Sequence, residues 1–378
     1  MDSIDELRGG KEMAFELPDY SSLNHEQRDV INLPTNINFF IKGSPGTGKT
    51  VIAIYRAAQM RNKKVLLLVY NRPLMLYLQS AINTLNITNC EVKTYHAWLS
   101  SFYRIQRRTS VPNFGQFQYD WKQILLDFKN IGTVYDHVII DEAQDFPEEL
   151  LQALPEVSKN ITCFIDSNQA IEPNKTPVIK AIKSLCMESP YTLQYNYRNT
   201  KEIAAVAKLY WSGDGHFAKP DVSHSGNKPT LIKCDNFNNL DNEICKIITS
   251  NMDKTIGIFT NPQSLNKFYN NLSSLLNKKV NVELYKTGGN NSNINFDTNG
   301  VKILSYSTMK GLEFDIVILA AFDKVRSTGD TKADQNRAYV AISRAKEDLY
   351  IYYFSEQNNG TKWINTMAAI NNNINLFR

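Results

Sequence analysis

With 378 residues, 42% of them hydrophobic and 21% charged, the chain has globular composition and room for two or three domains, which excludes fibrous and low-complexity classes. Its longest apolar runs, Val65 to Tyr70 and Ile316 to Phe322, are too short to span a bilayer. Met1-Asp2-Ser3-Ile4-Asp5-Glu6 lacks the basic start and apolar core of a signal peptide, so a cytoplasmic chain is expected. A net charge of +4 permits a polyanionic partner without identifying one, and five cysteines with no C-x-x-C pair read as reduced thiols.

In chain order, Asn38 to Lys42 reads as an apolar strand, Gly43-Ser44-Pro45-Gly46-Thr47-Gly48-Lys49-Thr50 as a glycine loop and Val51 to Ala58 as a helix. The loop matches G-x-x-x-x-G-K-[ST]. Strand, loop and helix together let backbone N–H groups and the positive helix end surround phosphate oxygens, with glycines where a side chain would block the approach. Lys49 is expected to reach the β and γ phosphates of ATP, and the Thr50 hydroxyl to ligate Mg²⁺; the plain alternative is a glycine-rich turn with no ligand. Further strands are expected at Val65 to Tyr70, Val92 to Tyr95, Val138 to Asp141 and Ile161 to Asp166, alternating with helices, the pattern of a parallel sheet covered by helices. From Thr192 the pattern restarts, with strands expected at Thr230 to Lys233, Thr255 to Phe259, Val280 to Tyr285, Val301 to Tyr306, Ile316 to Ala321 and Leu349 to Phe354. A second α/β domain follows from that restart.

Val138-Ile139-Ile140-Asp141-Glu142-Ala143-Gln144-Asp145 sets adjacent carboxylates at the end of a buried strand. Asp141 can hold the Mg²⁺ that Thr50 binds, and Glu142, directed to the opposite side by strand alternation, is the natural base for an attacking water. Paired acidic helix caps are the alternative.

From Leu23 onward the sequence resembles the UvrD/Rep-like group of superfamily 1 helicases. Leu23-Asn24-His25-Glu26-Gln27 is similar to the group's glutamine motif, which implies that Gln27 reads the adenine edge. Ile165-Asp166-Ser167-Asn168-Gln169 resembles the third motif, with Gln169 at the γ-phosphate; Leu193 to Asn199 resembles the fourth, with Tyr197 stacked on the base and Arg198 near the γ-phosphate. Ser305 to Asp315 resembles the fifth, with Glu313 at the ribose, and Asn336 to Lys346 the sixth, with Arg344 as arginine finger. The resemblance implies two RecA-like P-loop NTPase domains, 1–190 and 191–378, with ATP in the cleft between them. It also implies an ATP-dependent helicase or translocase on single-stranded DNA, moving 3′ to 5′.

The chain departs from that group in two ways. Large relatives carry an inserted domain in each half, whereas here Leu99 to Asp136 leaves room for a couple of helices and Lys286 to Gly300 for a loop. After Gln169 the chain runs into Ala170-Ile171-Glu172-Pro173-Asn174-Lys175 rather than aromatic residues that stack on bases, and Ser307 stands where many relatives have histidine. Phe102-Tyr103-Arg104-Ile105-Gln106-Arg107-Arg108 suits phosphates and stacked bases, or a solvated helix face. Thr94-Tyr95-His96 resembles a DNA-contacting segment of the group, where Tyr95 and Trp98 offer aromatic surface or buried packing. An alternative function is an ATPase subunit gated by nucleic acid or by a partner such as a nuclease; RNA stays open as the strand because backbone contacts do not report the 2′-OH.

Overall fold

The computed structural model describes residues 17–166, 176–186, 191–211, 217–221, 223–286, 299–325, 328–354, 370 and 372–378. Helix α1 (His25–Ile31) opens on a capping box in which the Asn24 side chain accepts from the Gln27 backbone and the Gln27 side chain accepts from the Asn24 backbone. The first half continues through β1 (Phe39–Gly43), α2 (Lys49–Gln59), β2 (Val65–Val69), α3 (Arg72–Thr84), β3 (Cys90–Thr94) and α4 (Tyr95–Gln106). A short antiparallel hairpin, β4 (Asn113–Gly115) with β5 (Gln118–Tyr119), leads to α5 (Trp121–Ile131). Then come β6 (Tyr135–Ile140), α6 (Glu148–Ala153), β7 (Ser158–Ile165), α7 (Thr176–Leu185) and β8 (Tyr191–Leu193).

The remaining elements are β9 (Tyr195–Asn196), α8 (Lys201–Lys208), β10 (Lys219–Pro220), β11 (Thr230–Lys233), α9 (Phe237–Thr249), β12 (Thr255–Thr260) and α10 (Leu265–Leu275). They are followed by β13 (Val282–Leu284), β14 (Gly300–Ser305), β15 (Phe314–Leu319), α11 (Thr331–Ile342) and β16 (Ala345–Tyr353). Two six-stranded sheets result, ordered β3-β2-β6-β7-β1-β8 and β11-β16-β15-β12-β14-β13. Every neighbouring pair within each is parallel. This is the RecA-like α/β arrangement, twice. Val65 to Val69 in β2 are buried throughout, as a parallel strand covered by helices on both faces requires.

One apolar core runs through both halves, taking Ile41, Ile52 and Leu67 from the first and Phe259, Leu304 and Phe314 from the second. At the seam, Gly311 adopts φ 74°, and a Cβ there would come within 2.6 Å of the Leu74 side chain, so glycine lets the second half approach α3 closely. Two further cores lie beneath α4 to α7 (Trp98, Phe128, Ile140, Leu150) and beneath α9 and α10 (Leu240, Ile258, Phe268).

The first sheet extends past residue 190, since β8 pairs with β1 through Ile41↔Tyr191 and Gly43↔Leu193. Between Leu99 and Asp136 the helices are separated by the β4–β5 hairpin. Residues 287–298, where a loop is expected in place of the second insertion, lie outside the described residues. Trp98 is fully buried, donating from Nε1 to the Tyr135 hydroxyl at 3.1 Å, so packing accounts for it. The basic and aromatic stretch divides: Phe102 and Tyr103 face the core, while Arg104, Arg107 and Arg108 are exposed. Among the described residues, no helix is long and apolar enough to cross a membrane.

Candidate active site

The glycine loop joins β1 to α2. Gly46 (φ 79°) and Gly48 (φ 85°) take left-handed conformations open to glycine, and a Cβ would lie 2.0 Å from Asn196 Oδ1 at the first and 2.4 Å from Gln27 Nε2 at the second. Gly43, Ser44, Pro45, Gly46 and Thr47 are themselves buried, with Thr47 Oγ1 donating to Ser44 O at 2.9 Å. Lys49, at the first turn of α2, is also buried; its Nζ donates to Gly43 O (2.7 Å) and Ser44 O (3.1 Å) and lies 3.8 Å from Asp166. The ammonium is thus held inside the loop by acceptors that a phosphate oxygen can replace.

Thr50 Oγ1 donates to Asp141 Oδ2 at 2.8 Å, so hydroxyl and carboxylate come together as the oxygen pair a small hard cation takes. Burial, reinforced by the neighbouring Glu142 charge, pushes the Asp141 carboxyl up to about 6. Strand alternation does not direct Glu142, because β6 ends at Ile140 and Glu142 itself adopts φ 55°. A left-handed non-glycine residue stores roughly 1–3 kcal/mol of strain and is held by its surroundings. Here Glu142 Oε2 accepts from Gln144 Nε2 at 2.6 Å, and Gln144 Oε1 accepts from Asp166 N at 3.0 Å. Burial alone would raise the Glu142 carboxyl, but the Lys49, Arg344 and Lys310 charges and the Gln144 amide outweigh it and hold it below the ordinary range. Glu142 is therefore a buried carboxylate held ionised by its neighbours.

From the other side, Arg198 donates through Nε to Glu313 Oε2 at 2.8 Å, with its NH2 at 2.7 Å from the same oxygen. Tyr77 OH donates to Glu313 Oε1 at 3.2 Å. Burial would raise the Glu313 carboxyl, but Arg198 and Lys346 with the Tyr77 hydrogen bond hold it down at about 2. Arg344 is 1% exposed and donates from Nε to Val340 O (3.0 Å) and from NH1 to Leu312 O (3.2 Å). Burial lowers the guanidinium to about 10, and the Glu142, Asp166 and Glu313 charges oppose that shift. It stays a cation at the rear of the carboxylate cluster.

A cleft of about 370 Å³ lies between the halves, bordered by Gln27, Gly48, Thr50, Tyr77, Tyr197 and Glu313. That volume is in the range of small-molecule sites. Gln27 already uses both ends of its amide, donating to Thr47 O at 3.1 Å and accepting from Asn24 N at 3.2 Å. Tyr197 N donates to Gly46 O at 2.9 Å, tying the approach to the second half onto the glycine loop. Gln169 lies outside the described residues.

Contacts at the seam and within the second half escape motif reading. Lys310 Nζ meets both Asp145 oxygens, at 2.8 and 2.6 Å, in the interior. Asn199, fully buried, donates to Ser343 O (3.2 Å) and Ala345 O (2.5 Å), and Asn71 Nδ2 donates to Lys310 O at 3.2 Å. Lys310 and Asn199 stand inside the fifth and fourth motif stretches, which is the signal that could have marked them.

Residues 36–244 match the family model described as the Schlafen group 3 DNA/RNA helicase domain, and residues 259–356 match the UvrD-like helicase C-terminal domain. Among solved structures the chain is similar to arterivirus nonstructural protein 10, a helicase solved with DNA, at 13% identity and TM-score 0.43 over 90% of this chain and 65% of that one. A PRRSV helicase is similar at 13% identity and TM-score 0.42 over 86% of this chain and 54% of that one. The C-terminal domain of a possible DNA helicase from Lactobacillus plantarum is similar at 20% identity and TM-score 0.34 over 48% of this chain and 96% of that one. The chain thus spans 65% and 54% of the two viral chains' lengths. No curated protein matches it.

Proposed function

We propose that this chain, which belongs to the Schlafen group 3 DNA/RNA helicase domain family, hydrolyses ATP to drive its own movement 3′ to 5′ along single-stranded DNA. With its UvrD-like second half it is a superfamily 1, helicase-type NTPase. The observation that carries the reading is that Thr50 of the first half and Arg198 of the second line one cleft, with Asp141 hydrogen-bonded to Thr50 and the buried Arg344 of the second half acting electrostatically on Glu142 of the first.

The oxygens of Thr50 and Asp141 suit Mg²⁺, which when bound would neutralise charge on the β and γ phosphates. Lys49 exchanges its loop carbonyls for phosphate oxygens, and the loop N–H groups donate to the same anion. Glu142, kept ionised by surrounding cations, accepts the proton of the attacking water. Arg198 and Arg344 stabilise charge on the transferring phosphoryl group; because they come from the second half, full activity requires the closed cleft. Tyr197 stacks on the base, Glu313 meets the ribose and Gln27 the adenine edge. Closure on each turnover is what links hydrolysis to a step along the strand.

The burial of Trp98, Phe102 and Tyr103 removes aromatic surface from a strand path and favours a second reading, an ATPase gated by a protein partner such as a nuclease. ATP turnover by wild type and Glu142→Gln tests the site, and its dependence on added single-stranded DNA separates the readings.

A further inference from the structure

The β4–β5 hairpin carries a surface that the nucleotide cleft does not use. Phe114 is 77% exposed and Phe117 62% exposed, unusual positions for large apolar rings on an ordered hairpin. Phe117 also adopts φ 61°, a left-handed conformation that glycine takes freely and an L-residue takes at a cost. Its ring centre lies 4.5 Å from His96, which in turn lies 3.8 Å from Tyr95. His96 Nδ1 pairs with the Tyr119 hydroxyl at 2.7 Å, and burial lowers its imidazole to about 4, so the ring is a neutral stacking surface.

The same segment also carries positive charge. From Arg104 to Gln118 the chain has Arg104, Arg107 and Arg108 and no acidic residue. Arg104 and Arg108 are exposed, and Arg107 pairs with Asp127 at 3.2 Å. Along α4, Arg104 stands eight residues beyond His96, about 12 Å at the helical rise. Exposed rings and exposed cations on one short segment are the combination that single-stranded nucleic acid uses, bases on the rings and phosphates on the arginines.

We propose that Phe114 and Phe117 of the hairpin are a base-stacking platform for unpaired DNA, with Arg104 and Arg108 taking the adjoining phosphates. This rests on the reading of the chain as a motor on single-stranded DNA and locates a contact for that strand. Behind the platform the Tyr95 ring lies 5.6 Å from Phe146, the residue after the Asp145 that pairs with Lys310.

Fluorescence anisotropy with labelled oligothymidine tests the proposal on the full chain. Phe114→Ala/Phe117→Ala is expected to bind at least about tenfold more weakly than wild type, with Phe114→Trp/Phe117→Trp restoring binding. On an abasic strand the wild type and the alanine variant should bind alike. Arg104→Ser/Arg108→Ser should reduce the slope of log affinity against log salt by about 1.4. Basal ATP turnover without DNA should be unchanged in each variant, which confirms folding, and Phe114→Ala alone serves if the double variant does not fold. Equal affinity of wild type and the alanine variants for oligothymidine would overturn the platform while leaving the motor reading in place. Ring-dependent binding of oligouridine but not oligothymidine would overturn the choice of DNA. Failure of the wild type to bind any strand would overturn the motor reading and the platform with it.

Discussion

Lys310 of the second half and Asp145 of the first form a buried ion pair, Nζ lying 2.8 and 2.6 Å from the two carboxylate oxygens. Removing one partner leaves the other charge buried and unmatched, which costs about 3–5 kcal/mol, whereas replacing both with apolar side chains is far milder. Lys310→Met and Asp145→Leu should each lower stability by that order in urea denaturation, and the double variant should recover most of the loss. Because the Lys310 charge also helps keep Glu142 ionised, turnover should stay low in the recovered double variant.

Glu142→Gln keeps the size and hydrogen-bonding capacity of the side chain but cannot accept a proton. Turnover should fall by at least about 10²-fold while ATP affinity, measured with a fluorescent analogue, stays close to wild type. Lys49→Ala should lose both, since Lys49 provides charge to the phosphates and to Glu142.

Arg344 separates catalysis from packing only with care, because its guanidinium also serves Val340 O and Leu312 O in the interior. Arg344→Ala would remove the guanidinium from Leu312 O, leave Val340 O to the Ser343 hydroxyl, and lower the melting temperature. Arg344→Lys retains a buried cation and should fold. Its kcat should nonetheless fall by about 10³ to 10⁵ with KM little changed, the expectation for an arginine acting on the transition state.

Glu313 gives a pH signature. Its carboxyl is held at about 2 against an ordinary 4.5, so between those values the unfolded chain binds the proton and the folded chain does not. Its contribution to stability is therefore full above about pH 4.5 and is lost as pH falls towards 2. Over that window the melting temperature of wild type should fall more steeply than that of Glu313→Gln, as followed by circular dichroism.

Most of the fold was legible because parallel strands covered on both faces must be continuously apolar: Val65 to Val69 and Ile316 to Leu319 declare themselves. The glycine loop was legible because positive φ at Gly46 and Gly48, together with the Asn196 and Gln27 atoms that a Cβ would strike, restricts those positions to glycine. The seam was not. Lys310–Asp145 and Asn71–Lys310 join residues far apart in the chain, and no spacing rule encodes which groups meet across the two halves. Strand alternation failed at Glu142 because the strand stops one residue before Asp141 and a left-handed turn aims the carboxylate. The burial of Trp98, Leu99, Phe102 and Tyr103 was present in their helical spacing, and that amphipathic face takes the aromatic residues of the basic stretch into the core.

Steady-state ATP hydrolysis by the purified chain, with and without single-stranded DNA at low and moderate salt, tests the central claim most directly. The account predicts turnover that Glu142→Gln abolishes and that single-stranded DNA stimulates strongly, the stimulation weakening as salt rises. Turnover unchanged by single-stranded DNA, or retained in Glu142→Gln, would contradict it.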